Sequence, residues 1–179
     1  MTMRSALSFV FLVLLINAAT FFVPMEAVEP SPRTRNTIEH ICRSMEDYGF
    51  CYKTFHNILP EPDADNKTLT RITIIEAGKN VTNTLAFINS HIPTEKDPNQ
   101  HMHYVVCQNA YQILQSSFKS ALDDYRGMAQ YERDTPRVQA SCTTIFSIPP
   151  FTENPLNERN REMRILLTMA IVTSSYIVT

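Results

Sequence analysis

The sequence predicts an all-α protein, a helical bundle in which four longer apolar stripes stand behind a short stapled pair of helices. Apolar side chains recur three and four residues apart in successive segments, and prolines or polar clusters punctuate them. The chain holds only 3 Gly and no Trp among 179 residues. That is too few glycines for a sheet protein with many tight turns, or for a Gly-rich phosphate cradle. The length suits one domain. Charged residues make up 19% of the chain and the formal net charge is -2, which removes a polybasic surface and with it a nucleic-acid partner.

Residues 1–27 read as a secretory signal peptide. Arg4 precedes an apolar run over 9–16, Ala18 and Ala19 supply small residues, and 21–23 prolong the run before Glu26. The run falls short of the roughly 18 apolar residues that span a bilayer, so cleavage is expected after Ala19 or Ala27. Residues 28–35, with Pro30 and Pro32, are expected as an extended leader, because each proline restricts the residue before it and lacks a backbone donor. The domain then spans 36–179.

Over 36–45, Ile38, Ile41 and Met45 predict a first short helix, Tyr48 and Gly49 a turn, and 51–59 a second short helix. Pro60, Pro62, Asp63, Asp65 and Asn66 make a polar linker. Leu69, Ile72, Ile75, Leu85 and Ile88 predict a long helix, although the β-branched cluster at 72–75 argues locally for a strand and Gly78 weakens either reading. The helix is kept because a lone strand would have no partner. Pro93, Asp97 and Pro98 mark a connection. Residues 101–125 form the clearest helix, with Val106, Ala110, Ile113 and Ser117 on one stripe and Cys107, Tyr111, Leu114, Phe118 and Leu122 on the next.

Gly127 suits a helix end. A turn-rich stretch is then expected up to Thr135-Pro136, where Thr caps and Pro takes the first helical position ahead of Val138, Cys142, Ile145 and Phe146. Pro149, Pro150 and Pro155 break the chain again. Asn157 is expected to cap a last helix whose buried face is Met163, Leu166, Leu167, Ala170, Ile171 and Ile177. Its apolar tail is too short and too rich in Thr and Ser for a membrane span.

All 4 cysteines, Cys42, Cys51, Cys107 and Cys142, lie beyond the signal segment. An even set in an exported chain implies two disulfides with three possible pairings. The spacing favours a local loop, Cys42 to Cys51, and a long-range staple, Cys107 to Cys142. Zinc is the rival reading, but no close Cys-x-x-Cys pair occurs and an oxidising compartment removes free thiolates. Asn66-Lys67-Thr68 and Asn80-Val81-Thr82 are glycosylation triplets, and both asparagine side chains are expected to face solvent.

Catalytic chemistry is not legible. His101 and His103 point about 200° apart on a helix and cannot share a metal, so a solvated helix start is expected for both. His40, His56 and His91 have no companion base or carboxylate, and the adjacent Asp123 and Asp124 are badly placed for paired acid and base work. No G-x-S-x-G or H-E-x-x-H motif occurs. Neither an enzyme, a cofactor nor a metal site is expected.

Cys42 and Cys51 with eight residues between them, then Cys107-Gln108-Asn109-Ala110-Tyr111 with Leu114 and Leu122, resemble the plant invertase and pectin methylesterase inhibitor family. Val138-Gln139-Ala140-Ser141-Cys142 is similar to the family's fourth-cysteine segment, and Asn154-Pro155-Leu156-Asn157-Glu158-Arg159-Asn160 to its lead into the last helix. The resemblance implies an up-down four-helix bundle preceded by a short disulfide-pinned helical hairpin, with disulfides Cys42–Cys51 and Cys107–Cys142. It also implies a secreted inhibitor in the plant cell wall that occludes, one to one, the substrate cleft of a secreted plant carbohydrate enzyme. Pectin methylesterase is the expected target. Acid invertase is the alternative, lowered by the absence of a Pro-Lys-Phe motif at 129–133, where Ala-Gln-Tyr-Glu-Arg stands. A secreted helical bundle without inhibitory activity is the third reading.

Two further expectations follow. The interval between Cys107 and Cys142 is shorter than the family's usual one, so 127–134 is expected to run back partly extended to let the disulfide close. Asp123, Asp124, Tyr125, Tyr131, Glu132 and Arg133 gather at the end of the second bundle helix and the following turn, and are the expected partner-binding residues.

Overall fold

The computed structural model describes residues 28–123 and 128–177, with side chains at 28–123 and 134–177. The expected signal segment lies outside them. Six α-helices follow one another: α1 Pro32–Arg43, α2 Tyr48–Ile58, α3 Asn66–His91, α4 Pro98–Asp123, α5 Met128–Ile145 and α6 Asn157–Ser175, with a 3-10 turn Ile92–Thr94 between α3 and α4. Helices α3, α4, α5 and α6 pack in a ring, each against its neighbours in sequence, and α6 closes on α3. The short connections make sequence neighbours antiparallel. Cross-helix contacts pair Thr73 with Thr173, Asn80 with Glu162 and Asn89 with Gln108, so α3 runs against both α6 and α4.

Side-chain caps set the helix starts. Ser31 Oγ accepts from the Thr34 N–H, Asp47 Oδ1 from Phe50, Asp65 Oδ1 from Thr68 and Asp97 Oδ1 from Asn99. The expected extended leader is therefore corrected: α1 already begins at Pro32, because a proline at the first helical turn loses only a donor with no intrahelical acceptor. Likewise the expected turn at Tyr48-Gly49 is the first turn of α2, started by the Asp47 cap. Met45 lies just past α1 but is still buried.

The strand alternative at 72–75 does not occur. Ile72 and Ile74 are buried in the middle of α3, and tertiary packing outweighs the small helix penalty of β-branched residues. Buried threonines along α3 turn their hydroxyls onto the helix itself, Thr70 to the Asn66 carbonyl at 2.8 Å and Thr73 to Thr70 at 2.8 Å. Thr73 also meets the Thr173 hydroxyl of α6 at 3.3 Å.

Helix α5 brings the largest correction. It begins at Met128, so Pro136 is inside it rather than at its first position, and 128–134 are helical rather than extended. The disulfide closes all the same. Cys107 lies about 24 Å before the end of α4 and Cys142 about 21 Å after the start of α5, so two antiparallel helices of matched reach bring them level. Gly127 lies outside the described residues.

Asn157 does not cap α6; it is its first residue. Leu156 holds the cap position, buried, while Asn154 Oδ1 accepts from the Leu156 N–H at 3.0 Å. The core runs through Ile38, Phe55, Ile74, Tyr111, Leu114, Met163 and Met169, all almost wholly buried. Ile113 and Leu122, expected on apolar stripes, are exposed, while Ile171 and Ile177 are half-buried.

Candidate partner-binding surface

The hairpin of α1 and α2 is pinned by the Cys42–Cys51 disulfide, Cα–Cα 5.5 Å. It lies along the groove between α3 and α6, packing on both. At the α1–α2 connection, Arg164 grips Glu46 with two hydrogen bonds, Nε to Oε2 at 2.8 Å and Nη2 to Oε1 at 2.7 Å. Arg161 reaches Asp47 at 2.6 Å and Glu158 at 2.9 Å. Arg164 holds the Glu46 carboxyl below the usual range, while the Phe50 N–H, followed by Arg161, does the same for Asp47. One side of the bundle is thus covered, and α4 and α5 keep their outer faces open.

A second disulfide, Cys107–Cys142, Cα–Cα 4.6 Å, joins α4 to α5. A cross-link of this loop length stabilises by about 2–4 kcal/mol. Beneath it, the Tyr111 hydroxyl donates to Asn160 Oδ1 at 2.9 Å, and Gln139 Nε2 donates to the Asn160 carbonyl at 3.0 Å. Burial pushes the Tyr111 phenol far above its ordinary value, so it remains a hydrogen-bond donor. These bonds tie α4, α5 and α6 into a rigid platform.

His103 departs from the sequence expectation. It is 2% exposed, its Nδ1 pairs with the Thr152 hydroxyl at 2.8 Å, and its ring meets Phe146 edge to face at 5.1 Å. Lying one helical turn before Cys107, it belongs to the buried stripe. Among the described residues no group of three or more His, Cys, Asp and Glu side chains could hold a metal ion.

Of the expected partner-binding residues, Asp123 is exposed at the end of α4. Asp124 and Tyr125 lie outside the described residues, and so do the side chains of Tyr131, Glu132 and Arg133. The backbone of these last three is helical, inside α5, rather than in a turn. The structure therefore does not show the six brought together.

What it does show is a surface without formal charge. From Pro98 to Phe118 and again from Val138 to Thr152 the chain carries no Asp, Glu, Lys or Arg. Asn109, Gln112, Ile113, Ser116, Ser117 and Ser120 line a shallow depression of about 560 Å³ on the outside of α4. Ile113 is 53% exposed there, and Phe151, just past α5, is 72% exposed. Beside the depression, a cleft of about 570 Å³ between α3 and α4 is lined by Ile75, Phe118 and Leu122 together with two charged residues, Lys79 and Lys119, which mark the edge of the charge-free surface. The ion pairs among the described residues all lie on the hairpin side, on α3 or on α6. The two charge-free runs were readable in the sequence; only the packing shows that they share the uncovered side.

The model of the family described as plant invertase/pectin methylesterase inhibitor matches residues 36–171. The chain belongs to that family. Two solved inhibitor structures share the fold of this plant invertase/pectin methylesterase inhibitor domain. A pectin methylesterase inhibitor from Arabidopsis thaliana has a TM-score of 0.58 and 18% identity, covering 78% of this chain and 95% of its own. A mutant form A of a pectin methylesterase inhibitor from Arabidopsis has a TM-score of 0.66 and 18% identity, covering 77% and 95%. No match was found among curated protein sequences. The family is one of inhibitors rather than enzymes, and its hairpin and four-helix bundle are the architecture described above. Among the described residues of this family member, no helix is long and apolar enough to cross a membrane.

Proposed function

We propose that the chain is a secreted inhibitor of pectin methylesterase in the plant cell wall, which seats the open α4–α5 side of its bundle over the enzyme's substrate cleft in a one-to-one complex. Family membership supports inhibition, and the two solved neighbours are both described as pectin methylesterase inhibitors. Export is supported by the signal-like residues 1–27.

The observation that carries the choice of surface is the charge-free stretch of the outer face of α4, from Pro98 to Phe118, with its continuation past α5. Charged residues are depleted at the centre of protein interfaces, where desolvation would cost more than pairing returns. Short serine and asparagine side chains also lose less rotamer freedom on docking than lysine or glutamate would. A helix face stapled to its neighbour needs little reorganisation to bind. Ile113 and Phe151 offer apolar anchors, and Asp123 stands at the edge, where a charge steers approach rather than holds the complex.

The test is inhibition of purified pectin methylesterase and acid invertase by the mature chain, with the complex sized by light scattering. Loss of esterase activity in a one-to-one complex, with invertase untouched, is the expected result. Inhibition of invertase alone would transfer the reading to that enzyme. Inhibition of neither would leave a secreted bundle that has lost the activity of its family.

A further inference from the structure

Two Asn-x-Thr triplets remain outside this account, and the fold treats them differently. Asn66 is the first residue of α3, exposed at the end of the bundle where α6 stops. Its Nδ2 makes one long hydrogen bond, 3.4 Å, to the Tyr176 carbonyl. A cleft of about 450 Å³ opens beside it, lined by Arg33, Thr37, Asp63 and Asp65, polar groups suited to sugar hydroxyls.

Asn80 sits in the middle of α3 and is half-buried. Its Nδ2 donates to Glu162 Oε2 at 3.0 Å, and its Oδ1 accepts from the Thr84 hydroxyl at 3.4 Å. Helix α2 walls this site through Phe50, Lys53 and Asn57. A sugar chain on Asn80 would leave from the nitrogen that faces the Glu162 carboxylate and would have to run out beneath α2.

We propose that Asn66 carries an N-linked oligosaccharide and that Asn80 stays unmodified, serving as the hydrogen-bond partner of Glu162. The proposal rests on the export reading above. In the transfer, the bond between the sugar's anomeric carbon and the pyrophosphate of a lipid-linked donor breaks, and a bond from that carbon to Asn66 Nδ2 forms. The lipid pyrophosphate leaves and the amide gives up one proton. Asn66 lies on the side where α1, α3 and α6 meet, so the glycan leaves the α4–α5 face open to a partner. Asn80, by contrast, joins α3 to α6 through Glu162 on the hairpin side.

The experiment is secretion of the full chain from yeast cells, followed by mass spectrometry of the intact protein and of its glycopeptides. Glycan on Asn66 and a bare Asn80 in the released protein are expected. The N66Q variant should lose the whole glycan mass, and N80Q should keep it; the wild-type glycopeptide map decides the matter even if a variant fails to fold. Released protein with a bare Asn66, or with sugar on Asn80, overturns the proposal alone. Protein held inside the cell with residues 1–27 intact overturns the export reading and the proposal with it.

Discussion

Tyr111 ties three helices together through one hydroxyl. It sits on α4, donates to Asn160 of α6 at 2.9 Å and lies within hydrogen-bonding reach of Thr84 on α3. Tyr111→Phe keeps the ring and leaves the side-chain oxygen Oδ1 of Asn160 buried without its tyrosine donor. Stranding a buried acceptor costs about 1–3 kcal/mol, so urea unfolding should show a loss of that size with no change in far-UV signal. A loss below about 0.5 kcal/mol would mean that the network contributes geometry rather than stability. The tyrosine four residues beyond Cys107 is plain in the sequence. Its partner is not, because Asn160 comes from a helix 49 residues away.

At the scale of elements, the hairpin and α5 each carry a prediction. Arg161 and Arg164 clasp Glu46 and Asp47, whose carboxyls are held below their ordinary values. A carboxyl with a depressed folded value stabilises above its unfolded value, near about 4, and that contribution is lost as pH falls through the folded value. Hydrogen-exchange protection of α1 and α2, corrected for the intrinsic pH dependence of amide exchange, should therefore fall below about pH 4. R161A/R164A should produce the same loosening at neutral pH, with α4 and α5 unchanged. If neither treatment lowers that protection, the apolar contacts of Ile38, Ile41 and Phe55 alone hold the hairpin.

Helix α5 has Pro136 in its interior. An interior proline removes a donor and crowds the preceding turn at a cost of about 3 kcal/mol. Pro136→Ala should raise stability by up to about 3 kcal/mol in thermal or urea unfolding. A proline at a first helical position, as the sequence alone suggests, would give almost no gain. The two readings thus separate in one measurement.

For the whole molecule, charge is segregated. Ion pairs lie on the hairpin side, and from Pro98 to Phe118 α4 presents only uncharged residues to solvent, with Lys119 and Asp123 exposed in its last turn. Ser116 is exposed on that face and its hydroxyl only returns to the Gln112 carbonyl. Ser116→Arg should leave the melting temperature unchanged, since a surface arginine suits a helix. It should weaken inhibition of pectin methylesterase more than tenfold, about 1.4 kcal/mol, by placing a bulky charge at the centre of the contact. Unchanged inhibition by the folded variant would move the contact toward the Asp123 end of α4.

The sequence by itself determined that the chain is helical, where most helices lie, and which chemistry is missing. Those are local properties: apolar spacing along one turn, and prolines or polar clusters between helices. The tertiary structure decided what depends on distant neighbours. Ile72 and Ile74 became helical because α3 is packed on several sides, and His103 was buried by Phe146 and Thr152 from beyond α5. Helix α5 reaches back to Met128, past a proline that sequence logic placed at a helix start. Asn66 and Asn80 share one triplet pattern, yet only the folded hairpin tells them apart. The charge-free runs, too, become a surface only through packing: a stripe faces solvent or a partner according to whether another segment covers it, and periodicity along one helix does not encode where that other segment goes.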